Sequence, residues 1–350
     1  MSGTLAAELK RLAADRLGFD LVGVTTADPL ARGQQLREWL ADGLYGEMAY
    51  LFQTGEARSD PSHLLPGARA VVCVALSYHD SPEPSDPSAG PRRAVVARYA
   101  RRRDYHNVIR SRLVALGQFL EQRRPGTRWR VAVDTAPLLE KELAERAGLG
   151  WVGKNTLLIN RRLGSELLLG ELVTDAPLEP DPPGSPHCGR CRECMKACPS
   201  GALRAPFTLD ARRCTAYLTI EHRGPLPIEF ARTIPPHLAG CDRCQAACPW
   251  NRHAQPSCSA LFPTRPQLMA LDLAVLADLD EKGWRRLVAG TPLRRLGFTR
   301  FRRNLALLLP DRQQSALTFA EAGTIKTAPG GSEGPCGGVR PRRRQRGVDI

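Results

Sequence analysis

Eight of the eleven cysteines in this chain stand at spacings suited to iron–sulfur clusters. Cys188, Cys191, Cys194 and Cys198, the last followed by Pro199, spell C-x2-C-x2-C-x3-C-P. Cys214 follows alone, and then Cys241, Cys244 and Cys248, the last followed by Pro249. In the bacterial ferredoxin run of the first form, the fourth cysteine ligates the other cluster. Crossed ligation therefore predicts one [4Fe–4S] cluster on Cys188, Cys191, Cys194 and Cys248. It predicts a second on Cys198, Cys241, Cys244 and Cys214, with Cys214 replacing the missing member of the second run. A cube of iron and sulfide needs four converging thiolates; three on a tight loop and one from a distance supply them.

Structural zinc and disulfides are the competing uses of such cysteines. Zinc favours two C-x2-C pairs or mixed Cys/His sets, a poor fit to this array. Disulfides suit small secreted scaffolds, and the first ten residues carry early charge with no apolar secretion core. Cys73, Cys258 and Cys336 are left over. Cys73, inside the apolar run 70–76, reads as a small buried hydrophobe.

The elements that must position these groups follow from pattern. A chain of 350 residues buries a real core and divides into two or three domains. Leucines at helical spacing predict a helix over 4–17, and further helices are expected over 30–43, 104–122 and from near 136 to 148. Strands are expected over 19–24, 68–77 and 129–134, and two more over 156–159 and 165–172 around an Arg-Arg-Leu-Gly turn. The run 68–77, Val-rich and almost without polar residues, suits a strand buried on both faces. A Pro/Ser/Asp loop spans 80–91. This alternation predicts an α+β or α/β first domain over 1–178. The Pro-rich linker 177–184 introduces a ferredoxin-like cluster domain over 179–260. A segment over 261–312 carries helices at 273–288 and 298–309, and 313–350 reads as a disordered basic tail.

Net charge is +14, with arginine far in excess of lysine, which points to a polyanionic partner such as nucleic acid. Part of the excess lies in the tail at 340–346. No run approaches the ~18 apolar residues of a membrane span, so the expectation is a cytoplasmic monomer without membrane contact.

Several separated strings then carry a resemblance: Ala97-Arg98-Tyr99-Ala100-Arg101 with Asp104-Tyr105-His106, Val133-Asp134-Thr135-Ala136-Pro137, and Gly150-Trp151-Val152-Gly153-Lys154-Asn155. Cys214-Thr215-Ala216-Tyr217-Leu218-Thr219-Ile220-Glu221 and the stretch from Gly240 to Asn251 extend it. In this order they resemble the epoxyqueuosine reductases over about residues 5–308. The resemblance implies a cobalamin-binding catalytic domain, two [4Fe–4S] clusters, and reduction of epoxyqueuosine to queuosine at the wobble position of tRNA, with electrons from a donor protein or reductant. It implies that Asp134 donates a proton; the ordinary alternative is a helix N-cap. It also makes Arg58, Tyr99, Lys154, Asn155, Thr219 and His222 candidates for cofactor contact, against ordinary roles as surface charge, turn or core. Asp104-Tyr105-His106 begins the Asp-x-His-x-x-Gly pattern of proteins that ligate cobalt through histidine. Ile109 stands where its glycine belongs, so His106 reads as a helix-start or surface residue.

Arg101, Arg102, Arg103, Arg294, Arg295, Arg300, Arg302 and Arg303 are the candidate phosphate contacts for tRNA. Family members continue past residue 309 with further helices, whereas this chain turns Gly/Pro/Arg-rich, as a truncation or altered reading frame would. Two rivals remain: a cobalamin and Fe–S reductase of a small molecule, akin to the reductive dehalogenases, and a non-enzymatic ferredoxin-like carrier. The former are usually exported behind a twin-arginine signal, which is absent here, and a carrier has no evident need of so large a first domain.

Overall fold

The computed structural model describes residues 4–80, 93–230, 233–257, 261–269 and 271–309. Most of the expected 80–91 loop, Cys258, Cys336 and the 313–350 tail lie outside the described residues.

Four strands form the central sheet in the order Leu21–Thr26, Ala70–Ser77, Leu167–Thr174, Trp129–Ala132, every pair antiparallel. Of the two classes expected, the α+β one therefore describes this sheet. Ala70–Ser77 is buried along its whole length, as its run of valines predicted. Its alternation splits the core. Val72, Val74 and Leu76 face the helices Leu5–Arg11 and Tyr105–Arg123, while Val71, Cys73 and Ala75 face Glu140–Arg146. Asp104 starts the long helix by accepting the His106 N–H at 3.0 Å. Ile109, Leu113, Leu116 and Leu120 recur at helical spacing and are all fully buried.

Three elements differ from expectation. The first helix is α over Leu5–Arg11 and widens to a π-turn over Leu12–Arg16. The expected turn at 160–164 closes on a single bridge, Asn160 with Gly164 at 2.8 and 3.0 Å, and the flanking strands do not pair with each other. Leu158–Ile159 pairs instead with Trp151–Val152, and Leu167–Thr174 joins the central sheet. The helix expected from 136 begins only at Glu140, after Leu139 takes a non-helical conformation with φ −83° and ψ 70°.

The linker 177–184 is not loose. The Asp181 N–H donates to the Val24 carbonyl (2.8 Å), and its carboxylate accepts from the Val24 N–H (2.8 Å) and Lys10 Nζ (2.6 Å). It thereby covers the exposed edge of Leu21–Thr26.

A second sheet, unanticipated, joins Arg93–Val96 to His237–Ala239 in parallel and to Leu271–Asp272 in antiparallel fashion. It draws on all three segments expected from sequence. Around it packs a core in which Trp284 stacks on Phe301 at 4.1 Å. The helix expected over 273–288 is two, Leu273–Ala277 and Glu281–Leu287, because Asp280 caps the second through the Gly283 N–H at 2.6 Å. Asn304, fully buried on the Gly297–Leu308 helix, donates from Nδ2 to the carbonyls of Thr219 and Leu238, each at 2.8 Å. That amide holds the C-terminal helix to the cluster region. Asn304→Ala orphans two buried carbonyls and should cost about 2–3 kcal/mol, read as a lower urea midpoint of the anaerobic protein with an unchanged slope.

Candidate functional site

Asp134 follows the Trp129–Ala132 strand, and two contacts hold it. Its backbone N–H donates to Glu140 Oε1 at 2.6 Å, and its Oδ2 lies 3.2 Å from His106 Nε2. The other ring nitrogen of His106, Nδ1, lies 2.6 Å from Asp104 Oδ1. Asp104, His106 and Asp134 thus form a relay that runs from the long helix to the strand end. The hydrogen bonds to Asp104 and then Asp134 raise the His106 pKa to about 9, so the imidazole is charged at neutral pH. In return His106 holds the carboxyl of Asp134 below the usual carboxylate range. The Asp134 side chain remains 47 % exposed, so the relay opens to solvent at this end.

Arg58 and Arg295 both lie near enough to favour the ionised form of Asp134. Arg58 is buried, donates from Nε to Thr54 Oγ1 at 2.9 Å, and sits 5.9 Å from the Tyr50 ring centre. Arg295 pairs with Glu221 at 2.8 Å. Tyr99 packs edge-on between Tyr78 and Tyr105, at 6.5 and 6.4 Å, and the Tyr105 ring stacks on His106 at 4.1 Å. Lys141, next to Glu140, donates to the carbonyl of Thr156 at 2.8 Å and so ties the 153–157 loop to the Asp134 region. On that loop Asn155 is 4 % exposed and its Nδ2 has no partner.

The cysteines separate into two electrostatic neighbourhoods. Cys194 and Cys248 feel each other together with Cys188 and Cys191. Cys244 feels Cys214, Cys241 and Cys198. These are the two crossed groups expected from spacing. Lys154 reaches the first loop, its Nζ donating to the carbonyls of Gly189 (2.6 Å) and Cys191 (2.9 Å). The second loop docks on the central sheet through Gln245, which bonds the Tyr78 hydroxyl and the Ser165 carbonyl.

Of the residues singled out from sequence, Asp134, Arg58 and Tyr99 gather around the relay, and Asn155 lies on the loop tied to it. Lys154 instead faces the first cysteine loop. Thr219 is fully buried; its hydroxyl donates to the Thr215 carbonyl at 2.7 Å and accepts from the Gly240 N–H at 2.9 Å. His222 binds Glu47 through Nδ1 at 2.9 Å, and its Nε2 lies 2.9 Å from the Pro225 carbonyl.

Two arginines expected on the surface are inside. Arg101 is 5 % exposed and donates from Nε to the Val96 carbonyl. Arg102 is 4 % exposed and serves the carbonyls of Phe262 and Tyr78 and the Asp80 carboxylate. Folding used these guanidiniums to satisfy buried backbone oxygens. Arg300, Arg302 and Arg303 also donate to backbone carbonyls, whereas Arg103 and Arg294 are exposed.

His106 lies at the helix start, as the sequence reading had it, but its contact with Asp134 was not foreseen. Its position two after the capping Asp104 was visible, but Asp134 is 28 residues away. Glu140 and Glu171 were passed over. The signal for Glu171 was a lone carboxylate in the apolar strand Leu167–Thr174.

A family profile described as Epoxyqueuosine reductase QueG, DUF1730, matches residues 58–135, which include Asp104, His106 and Asp134. A second, described as a 4Fe-4S double cluster binding domain, matches residues 187–251. The epoxyqueuosine reductase of Xanthomonas campestris pv. campestris is 44 % identical over 304 residues, covering 86 % of this chain and 85 % of the relative. The chain belongs to the epoxyqueuosine reductase family. A solved epoxyqueuosine reductase with a tRNA-TYR epoxyqueuosine-modified tRNA stem loop superposes with a TM-score of 0.77 at 33 % identity, over 87 % of this chain and 80 % of that one. The epoxyqueuosine reductase of Bacillus subtilis, solved with its aspartate catalytic loop swung out of the active site, gives 0.78 at 30 % identity, over 90 % and 84 %. This membership places the chain among the epoxyqueuosine reductases, with a domain for two [4Fe–4S] clusters, and removes the small-molecule reductase and electron-carrier rivals. Among the described residues no helix is long and apolar enough to cross a membrane.

The relay predicts a titration. NMR of the His106 imidazole should report a pKa near 9, falling by about one unit or more in Asp104→Asn. Because the folded pKa lies above the unfolded value of about 6.5, the stabilisation is complete below that value and is lost as pH rises through about 9. The stability advantage of wild type over His106→Gln should therefore shrink across this window, by roughly 1–2 kcal/mol after solvent screening.

Proposed function

We propose that this chain reduces epoxyqueuosine to queuosine in the anticodon of tRNA, with cobalamin and two [4Fe–4S] clusters as cofactors and Asp134 as the proton-bearing residue. The observation that carries the reading is the Asp104–His106–Asp134 relay, which ends in a solvent-reachable carboxyl within a chain of this family. Removing an epoxide oxygen to leave an alkene takes two electrons and two protons, and the oxygen departs as water. The catalytic aspartate loop of the Bacillus subtilis relative and the tRNA stem loop bound by another relative support the same assignment.

The residues present fit cobalamin. The unanswered Asn155 Nδ2 is a buried donor of the kind that suits the amide carbonyls fringing a corrin. His106 has both ring nitrogens within hydrogen-bonding distance of aspartates, so it is not free to ligate cobalt. When bound, cobalamin supplies a low-valent cobalt able to deliver electrons to a strained C–O bond. The protein's share is proton management. At neutral pH the proton of the His106–Asp134 pair resides on the imidazolium; it passes to the Asp134 carboxylate, which then hands it to the leaving oxygen, and solvent at the open end of the relay supplies the second proton. Arg58 and Arg295 hold positive charge beside that carboxyl. Among the arginines, exposed Arg103 and Arg294 are the proposed phosphate contacts. Cys188, Cys191, Cys194 and Cys248 would hold one cluster, and Cys198, Cys214, Cys241 and Cys244 the other. A separate donor would supply electrons to the protein, working as a monomer in the cytoplasm.

Nucleoside mass spectrometry tests the reaction. Epoxyqueuosine-containing tRNA, incubated anaerobically with the loaded protein and a low-potential reductant, should lose one oxygen mass. Asp134→Ala should slow that conversion by roughly 10²–10⁴-fold with iron and cobalt contents unchanged. No conversion by a fully loaded wild type would overturn the reading. Ligand grouping has its own test. Cys214→Ser and Cys248→Ser should each lower iron towards half, by losing different clusters with distinguishable EPR signals; an identical residual signal in both would refute crossed ligation.

A further inference from the structure

Glu171 is the most anomalous group in the central sheet. It lies in the Leu167–Thr174 strand opposite Cys73 on one side and Ala132 on the other, and none of its surface is exposed. Neither carboxyl oxygen has a donor within the protein. A fully buried, unanswered carboxylate would cost several kcal/mol, and such a group persists only if it is neutral or paired. Glu171 shares its face of the sheet with Cys73 and Ala132, the face covered by the Glu140–Arg146 helix, and Glu140 is the carboxyl there that acts on it. Two carboxylates cannot hydrogen-bond each other; with one proton between them they can. Glu140 is also the residue whose Oε1 accepts the Asp134 N–H at 2.6 Å.

We propose that Glu171 and Glu140 share a single proton, and that this carboxyl pair is the anchor that holds the Asp134 turn in its left-handed conformation with its carboxyl against His106. Glu171 and Glu140 are positioning residues, since neither reaches the Asp134 carboxyl. The pair acts through the backbone, so it complements the relay, which acts through the side chain. Burial and then the neighbouring carboxylates raise both acids, Glu140 to about 7. The charged and titratable groups facing the pair are Asp134 on the turn, Lys141 beside Glu140, Arg58 from the short helix, Cys73 from the adjacent strand and Tyr105 from the long helix. Neither Lys141 nor Arg58 supplies a hydrogen bond to Glu171, so the proton is what satisfies it. The swung-out aspartate loop of the Bacillus subtilis relative shows that in that protein this kind of loop has a second position.

The role matters to the extent that Asp134 carries the proton, as proposed above, but the test does not need turnover. The probe is the His106 imidazole titration in the full, cofactor-loaded chain, because its raised pKa depends in part on Asp134 being within reach. Glu140→Ala removes the anchor and should lower the His106 pKa by one unit or more, without touching His106, Asp104 or Asp134. Glu140→Gln keeps an acceptor for the Asp134 N–H and an amide donor for Glu171, and should restore it. Infrared difference spectra at pH 6 should show a protonated carboxyl stretch in wild type that is lost in Glu171→Gln. An unchanged His106 pKa in Glu140→Ala would overturn the anchor, and absence of the carboxyl band in wild type would overturn the shared proton. If instead the titration behaves as stated while Asp134→Ala retains conversion, the anchor stands and the proton-donor assignment falls.

Discussion

The left-handed turn at Asp134 is the constraint around which the site is arranged. A non-glycine residue at φ 55° carries an intrinsic penalty of about 1–2 kcal/mol. It persists because two hydrogen bonds meet there, one donated by its backbone N–H to Glu140 and one between its carboxyl and His106. Each partner comes from a different helix, and the helices lie on opposite faces of one sheet. The antiparallel sheet therefore does more than fill the core: it sets the distance between two helices so that both can reach one residue at a strand end.

The same sheet also receives the cluster region. Ser165, just before the Leu167–Thr174 strand, accepts from Gln245 and is bracketed by Asn251, which follows the last cysteine. Gln245 lies between Cys244 and Cys248, and Asn251 just beyond, so the cysteine loops are fastened to the strand that carries Glu171. The second cysteine loop and the Asp134 turn are thus built on a common sheet. Short, rigid connections of this kind keep two sites at a fixed separation without a flexible hinge.

Arginine illustrates how tertiary packing redistributes a sequence signal. The run Arg101-Arg102-Arg103 reads as one basic patch, yet two of its guanidiniums are interior and one is exposed. The second sheet draws the 93–103 segment under the C-terminal core, where its carbonyl-rich surroundings call for donors. An arginine can answer several carbonyls at once because its planar fork carries five N–H groups. Some of the positive charge thereby stabilises the joint between segments instead of facing an anionic partner.

What the sequence by itself determined was local in character. Cysteine spacing pointed to the two groups of cysteines that folding brings together, because three members of each run lie within one loop. The valine run specified a doubly buried strand, and Asp104 specified a helix start, since strand burial and capping depend on neighbours a few residues away. Asp134 stood out through a resemblance of motifs rather than through any local rule. The tertiary structure decided everything that depends on partners far apart in the chain. His106 meets Asp134 across 28 residues, and Glu140 meets Glu171 only because sheet register places that strand beneath its helix. The strand at Arg93–Val96 formed only because His237–Ala239 and Leu271–Asp272 arrive on either side of it. Hydrogen bonds and shared protons act over about 3 Å; a linear sequence carries no distances of that kind until packing supplies them.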